Sequence, residues 1–142
     1  MSTKEKEGKY REAVRYIENA LEILRTKAKK KDRYYEDVKY VKMACGTAYS
    51  GVLLALDAYL ELKGMPLEKK KGSQISVKDY QKALSQIDNK ILKEFNTTYR
   101  ILHIEGYYQG EDKYGVIREG MDSAIQIINK IRPQGLEAFH LN

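Results

Sequence analysis

Tryptophan is missing from this 142-residue chain, cysteine occurs once and proline only twice. The lone thiol, Cys45, excludes an internal disulfide and any multi-cysteine zinc site, and it fits a reducing compartment. Pro66 and Pro133 lie between or after helical patterns rather than inside them, which leaves room for long uninterrupted helices and points away from a β-rich fold. No Gly-rich phosphate loop, dinucleotide fingerprint or His-x-x-x-His pair occurs, and the only histidines are His103 and His140. The reading is therefore of a protein that is not an enzyme and needs no cofactor or metal. The opening Met-Ser-Thr-Lys-Glu-Lys-Glu has no apolar core behind its charges, so no secretory signal is read and a cytoplasmic location is expected. The longest apolar stretch, residues 43–60, is interrupted by Thr47, Ser50 and Asp57 and shows helical sidedness, so no membrane span is expected.

What is present is charge and helical periodicity. Hydrophobic residues make up 42% of the chain and charged ones 32%, enough apolar content for one core in a single domain covering residues 1–142. The net charge of +6 permits contact with nucleic acid or a nucleotide without requiring it. Two basic groups stand out, one around Lys29, Lys30 and Lys31 at the expected end of the first helix and one at Lys69, Lys70 and Lys71 in a loop. The first complements a helix dipole and the second keeps a loop solvated.

Apolar steps of three and four predict four long helices in an all-α, up-down antiparallel bundle, and the last residues allow a short C-terminal helical tail. The first helix reads as residues 9–30, with Tyr10, Val14, Ile17, Leu21, Leu24 and Ala28 on one stripe. Asp32 is the expected cap of the second, residues 33–63, which Gly64 and Pro66 stop. Ser76 and Asp79 form a capping box for the third, whose periodicity runs on to Gly106. Gly106 to Gly110 reads as a turn, and Asp112 as the cap of a fourth helix that ends near residue 132.

The second and fourth helices carry wider apolar arcs than a peripheral position can bury. One stripe is of small residues, Ala44, Ala48, Gly51, Ala55 and Ala58, and another row holds Val116, Gly120 and Ile127. These arcs lead to an expected homodimer or contact with another protein, unless the tail covers them with Leu136, Phe139 and Leu141.

Candidate binding residues are few. Arg100 and His103 are one turn apart and could share an anion, although the same spacing suits a partly solvated pair at the edge of the buried stripe. Tyrosine is over-represented, twelve against two phenylalanines, and two tyrosine pairs fall at expected turns: Tyr34 with Tyr35, and Tyr107 with Tyr108. Exposed rings there would suit an interface or base stacking. Asp57 reads as part of a solvated face and Cys45 as a buried, inert thiol.

The segment Ala48-Tyr-Ser-Gly-Val-Leu-Leu-Ala-Leu-Asp-Ala-Tyr-Leu-Glu-Leu-Lys-Gly64 resembles the second long helix of the HEPN-like helical bundles, which are often associated with nucleotidyltransferases or RNA-cleaving toxins. Tyr107-Tyr108 through Met121-Asp-Ser-Ala-Ile-Gln-Ile-Ile128 resembles their closing turn and last helix. Ribonuclease members carry an Arg followed four to six residues later by His. Here Arg100 stands too close to His103, and Arg132 too far from His140, so those catalytic roles do not carry over. The resemblance thus implies a non-catalytic member acting through binding or assembly, with a nucleotide- or nucleic-acid-binding accessory protein as the alternative.

Overall fold

The computed structural model describes residues 3–140, so Leu141, one of the expected tail anchors, lies outside the described residues. The chain is predominantly helical. The first helix, α1 (Thr3–Ile23), continues into a π-helical turn (Leu24–Ala28) closed by Lys29 N donating to Leu24 O at 3.0 Å. Its buried stripe is Ala13, Ile17, Ala20, Leu24 and Ala28 together with Tyr10, whereas Val14 and Leu21 are only partly covered. The rotation toward alanines is explained by the neighbour it faces.

That neighbour is α2 (Val38–Leu62). Its small stripe meets α1 so closely that a Cβ on Gly51 would lie 2.8 Å from Cβ of Tyr16 and 3.1 Å from the Ala13 carbonyl oxygen. Small residues on both helices therefore allow backbone approach, and the stripe expected to serve self-association is covered inside the chain. By length and composition α2 matches a membrane span, and 56% of its most apolar window is buried within the protein. Its end follows sequence expectation: Gly64 takes φ +75°, Met65 N bonds Leu60 O at 2.8 Å and Gly64 N bonds Glu61 O at 3.1 Å, a Schellman stop.

The start of α2 departs from expectation. Asp37, not Asp32, is its cap, accepting from Lys39 N at 3.1 Å. Asp32 instead occupies the left-handed corner, φ +57°, of a small antiparallel hairpin of β1 (Lys30–Lys31) and β2 (Tyr34–Tyr35). Aspartate tolerates that backbone better than most residues, and a corner of this kind suits a two-residue hairpin turn.

After the exposed basic loop, the Ser76–Asp79 box opens α3 (Val77–Ile87) as expected, with Ser76 N donating to Asp79 Oδ2 at 2.7 Å. The expected single third helix is broken at Asp88, whose backbone is extended, φ −161°. Asp88 ends α3 and caps α4 (Asn89–Thr98), its Oδ1 accepting from the amides of Lys90 and Ile91 at 3.1 Å each. A second π-helical segment (Tyr99–Tyr108) continues α4. Gly106 is thus inside a helix and not its stop, and Tyr107 and Tyr108 are helical rather than turn residues. The left-handed stop is Gly110, φ +70°.

The last helix, α5 (Tyr114–Lys130), has no side-chain cap. Lys113, not Asp112, stands at its cap position; the Asp112 carbonyl accepts from Tyr35 N at 2.8 Å, while Tyr114 N donates to Arg33 O at 2.8 Å. The hairpin is thereby tied to the entry of α5. Gly120 faces the second π segment, where a Cβ would fall 2.6 Å from Ile101 Cγ2, so this row too is covered internally. The tail is irregular rather than helical, with Gly135 at φ +91°. Asn129 holds it, donating to Phe139 O at 2.9 Å and accepting from Phe139 N at 2.7 Å, and Leu136 and Phe139 pack on the core.

Candidate functional site

Of the six residues singled out from sequence, three come together on the second π segment. His103 stacks on buried Tyr49 at 4.6 Å between centroids and lies parallel to Tyr107 at 6.2 Å, an interplanar angle of 4°. Tyr108 meets both rings edge-on, each at 5.0 Å. Behind them Tyr49 stacks on Phe95, and Tyr99 abuts both Tyr49 and His103. This is a ladder of rings leading from the core to the surface, each offset or edge-on contact being a favoured geometry for aromatic quadrupoles.

Two glycines make room for it. Gly106 lies directly on Cys45, with no space for a side chain between them, and a Cβ on Gly46 would fall 2.9 Å from Cδ1 of Tyr107. Burial holds the His103 imidazole below its ordinary pKa, so the ring is neutral near pH 7 and stacks as an aromatic rather than as a cation. Arg100 does not join it. Its guanidinium turns to Glu105 at 3.1 Å and Glu119 at 3.7 Å, so the anion site anticipated from Arg100 and His103 does not form.

The other tyrosine pair is divided by the hairpin's alternation, with Tyr34 exposed and Tyr35 buried. Tyr35 packs on Tyr114 at 5.6 Å, and burial pushes its phenol up to about 12. Lys30 Nζ lies 4.2 Å above the Tyr114 ring, and Arg118 Nη1 donates to Tyr114 Oη at 2.9 Å. These groups line a cleft of about 780 Å³, with a floor that includes Leu24, Tyr35 and Met121. Cations stand on its rim at Arg25, Lys29 and Lys30, and the tail closes one side through Phe139. Lys29 is held at φ +56°, a backbone that L residues rarely adopt.

The reactive groups elsewhere are occupied. Cys45 is fully buried and burial raises its thiol to about 12, as expected of an inert cysteine. Asp57, expected on a solvated face, is instead half-buried and accepts from Tyr80 Oη at 2.8 Å. Sequence spacing within α2 could not reveal that bond, because its donor comes from α3. No group of His, Cys, Asp and Glu able to hold a metal is found among the described residues.

Residues 8–133 match the family described as a domain of unknown function (DUF5618). A solved structure of a protein of unknown function from Dyadobacter fermentans is similar to the chain at 41% sequence identity and a TM-score of 0.78, the match covering 92% of this chain and 97% of that one. A search of curated proteins finds no match.

Proposed function

The chain belongs to the DUF5618 family, and from its aromatic face we propose that it is a non-catalytic interaction module that pairs with a second copy of itself. The observation that carries this reading is the state of Tyr107 and Tyr108, which are 45% and 62% exposed although the rings behind them are rigidly packed. Exposed tyrosines on a fixed base lose little conformational entropy on contact, which is why such residues concentrate binding energy at interfaces. Met43, 49% exposed and one turn before Gly46 on α2, adds a further apolar group of the type enriched there. Arg100, Glu105 and Glu119 bring both signs of charge to the same π segment and the adjoining α5. A two-fold axis can set such a mixed surface against itself with opposite charges facing. Gly51 of α2 and Gly120 of α5 are packed against neighbours within the chain, which supports the ring face over those small-residue faces as the surface for pairing.

Within the same proposal we read the helices as four up-down rods, the third being α3, α4 and the second π segment in series. The contacts of α1 with α2, of α2 with the second π segment and of α4 with α5 support that order. A cytoplasmic setting and the HEPN-like relation belong to this reading as well, supported by the buried free thiol and by a long α2 that ends in Lys63-Gly64. Light scattering on the purified chain tests the pairing. The expected mass is twice 16.5 kDa at high concentration, reverting to 16.5 kDa in a Tyr107→Ala/Tyr108→Ala variant with unchanged circular dichroism. A wild-type monomer at every concentration overturns the proposal, and a variant that stays dimeric removes the ring face from it.

A further inference from the structure

The cleft between the end of α1, the hairpin, α5 and the tail is far from featureless, and its charge is graded. Its acids, Glu18 and Glu22, stand on α1 before the cations begin at Arg25 and continue through Lys29 and Lys30. From Glu18 to Arg25 the helix rises about 10 Å, and from Glu22 to Arg25 about 5 Å. Below this rim the floor is apolar: Leu24, Tyr35 and Met121 are 5%, 7% and 1% exposed, with Leu21 and Phe139 packed beside them. Lys30 is steadied over the Tyr114 ring. Arg118, also on the wall, is engaged by Asp122 at 3.1 Å and by Tyr114, which leaves Arg25, Lys29 and Lys30 as the cations facing an incoming group.

We infer that this cleft is a binding site for a small amphipathic organic acid, with a single anionic head at Arg25, Lys29 and Lys30 and an apolar body on the floor toward Phe139. Both halves of the ligand follow from the lining. An inorganic anion would leave the partly exposed Leu21 and Phe139 of the lining uncovered, and a neutral apolar molecule would leave the cations without a partner. A polyanion such as a nucleotide would bring charge toward Glu18 and Glu22, where like charges repel. A volume of about 780 Å³ lies in the usual range for a small-molecule site. The nucleotide reading anticipated from the basic residues would use the same cations and is separable by experiment.

Decanoate serves as the probe, titrated below its micelle threshold into the full chain and followed by calorimetry and thermal shift, beside decanol, inorganic phosphate and AMP. Decanoate is expected to bind and raise the melting temperature, decanol and phosphate to bind far more weakly, and AMP to add nothing beyond phosphate. In an Arg25→Gln/Lys30→Gln variant, both positions being exposed, affinity for decanoate should fall about tenfold, the loss expected for a charge-assisted contact. Met121→Trp, which fills the floor, should abolish binding; if that variant does not fold, Leu21→Gln at the half-buried edge of the floor tests the same point. Absence of decanoate binding overturns the inference, as does binding indifferent to the loss of both cations. Phosphate or AMP binding as tightly as decanoate would likewise overturn it in favour of a plain anion or nucleotide site. None of these substitutions touches Tyr107 or Tyr108, so failure here leaves the pairing proposal standing.

Discussion

At the scale of single residues, Asp57 shows how a neighbour distant in sequence alters a side chain's chemistry. Burial is the main influence on its carboxyl and raises it above the ordinary value, against the hydrogen bond from Tyr80 and the charge of Lys9. The native state therefore holds this proton more tightly than the unfolded chain does. Its contribution to stability is complete below the unfolded value, about 3.9, and is lost as pH rises through the higher native one. Asp57→Asn keeps the shape and has no proton to lose. Thermal melts from about pH 3 to about pH 7 should show the wild type losing ground to this variant across that window and holding a constant gap above it. A drift in the variant's disfavour would show that Tyr80 and Lys9 outweigh burial. What was legible here was the local part: Cys45 lies in an unbroken apolar row and is buried, and Ser76 with Asp79 is a box written within four residues. The Asp57–Tyr80 bond joins two helices, and periodicity within one of them carries no sign of it.

At the scale of elements, the break at Asp88 is the main departure from the expected third helix. The apolar steps Leu84, Ile87 and Ile91 pass through it without interruption, because a tight joint that reuses one residue as both stop and cap keeps the three/four spacing nearly in phase. The signal available was chemical: Asp88-Asn89 pairs two strong capping residues inside a run of continuous three/four spacing. Besides capping α4, Asp88 accepts from Tyr59 Oη at 3.2 Å and so fastens the joint to α2. Asp88→Ala should cost about 1–2 kcal/mol in urea unfolding, and Asp88→Asn, which can still cap, much less. Equal losses in the two variants would mean that the charge, not the cap, matters. The hairpin was missed for a related reason. Lys30, Lys31, Tyr34 and Tyr35 carry no apolar alternation of their own; the two strands pair with each other, and β2 is further bridged through Tyr34 to Lys113 in the segment before α5.

At the scale of the whole molecule, the all-helical class was legible from periodicity, and the destination of the wide apolar arcs was not. A wheel shows that a helix has two faces to bury, but which neighbour covers the second depends on the path of the chain. The tail supplies part of the answer. It overlies Tyr10, which is 5% exposed and whose hydroxyl is buried without a hydrogen-bond partner among the described residues. Truncation after residue 134 should lower stability by about 1–3 kcal/mol through the loss of Leu136 and Phe139, with some return because the Tyr10 hydroxyl gains water. The proposed pairing should survive, since the ring face is built from other elements. Unchanged denaturation would show that the tail is a passive cover.

The two π-helical stretches also bear on how this chain can vary in length. A turn closed from i to i−5, as Gln109 N to Ile104 O at 3.0 Å is, uses one residue more than an α-helical turn. Such a segment holds one residue of slack in register. Deleting one residue there would let the stretch relax to an ordinary helix with little rotation beyond it, whereas inserting one between 103 and 106 has no such outlet, and each residue of α-helix turns the chain by about 100°. Tyr107 and Tyr108 would then swing off Gly46 and away from His103 while the helix itself remained intact. The loop at 65–76, which no ring depends on, can absorb insertions that the second π segment cannot, so changes of length in relatives should fall in that loop and spare the ladder.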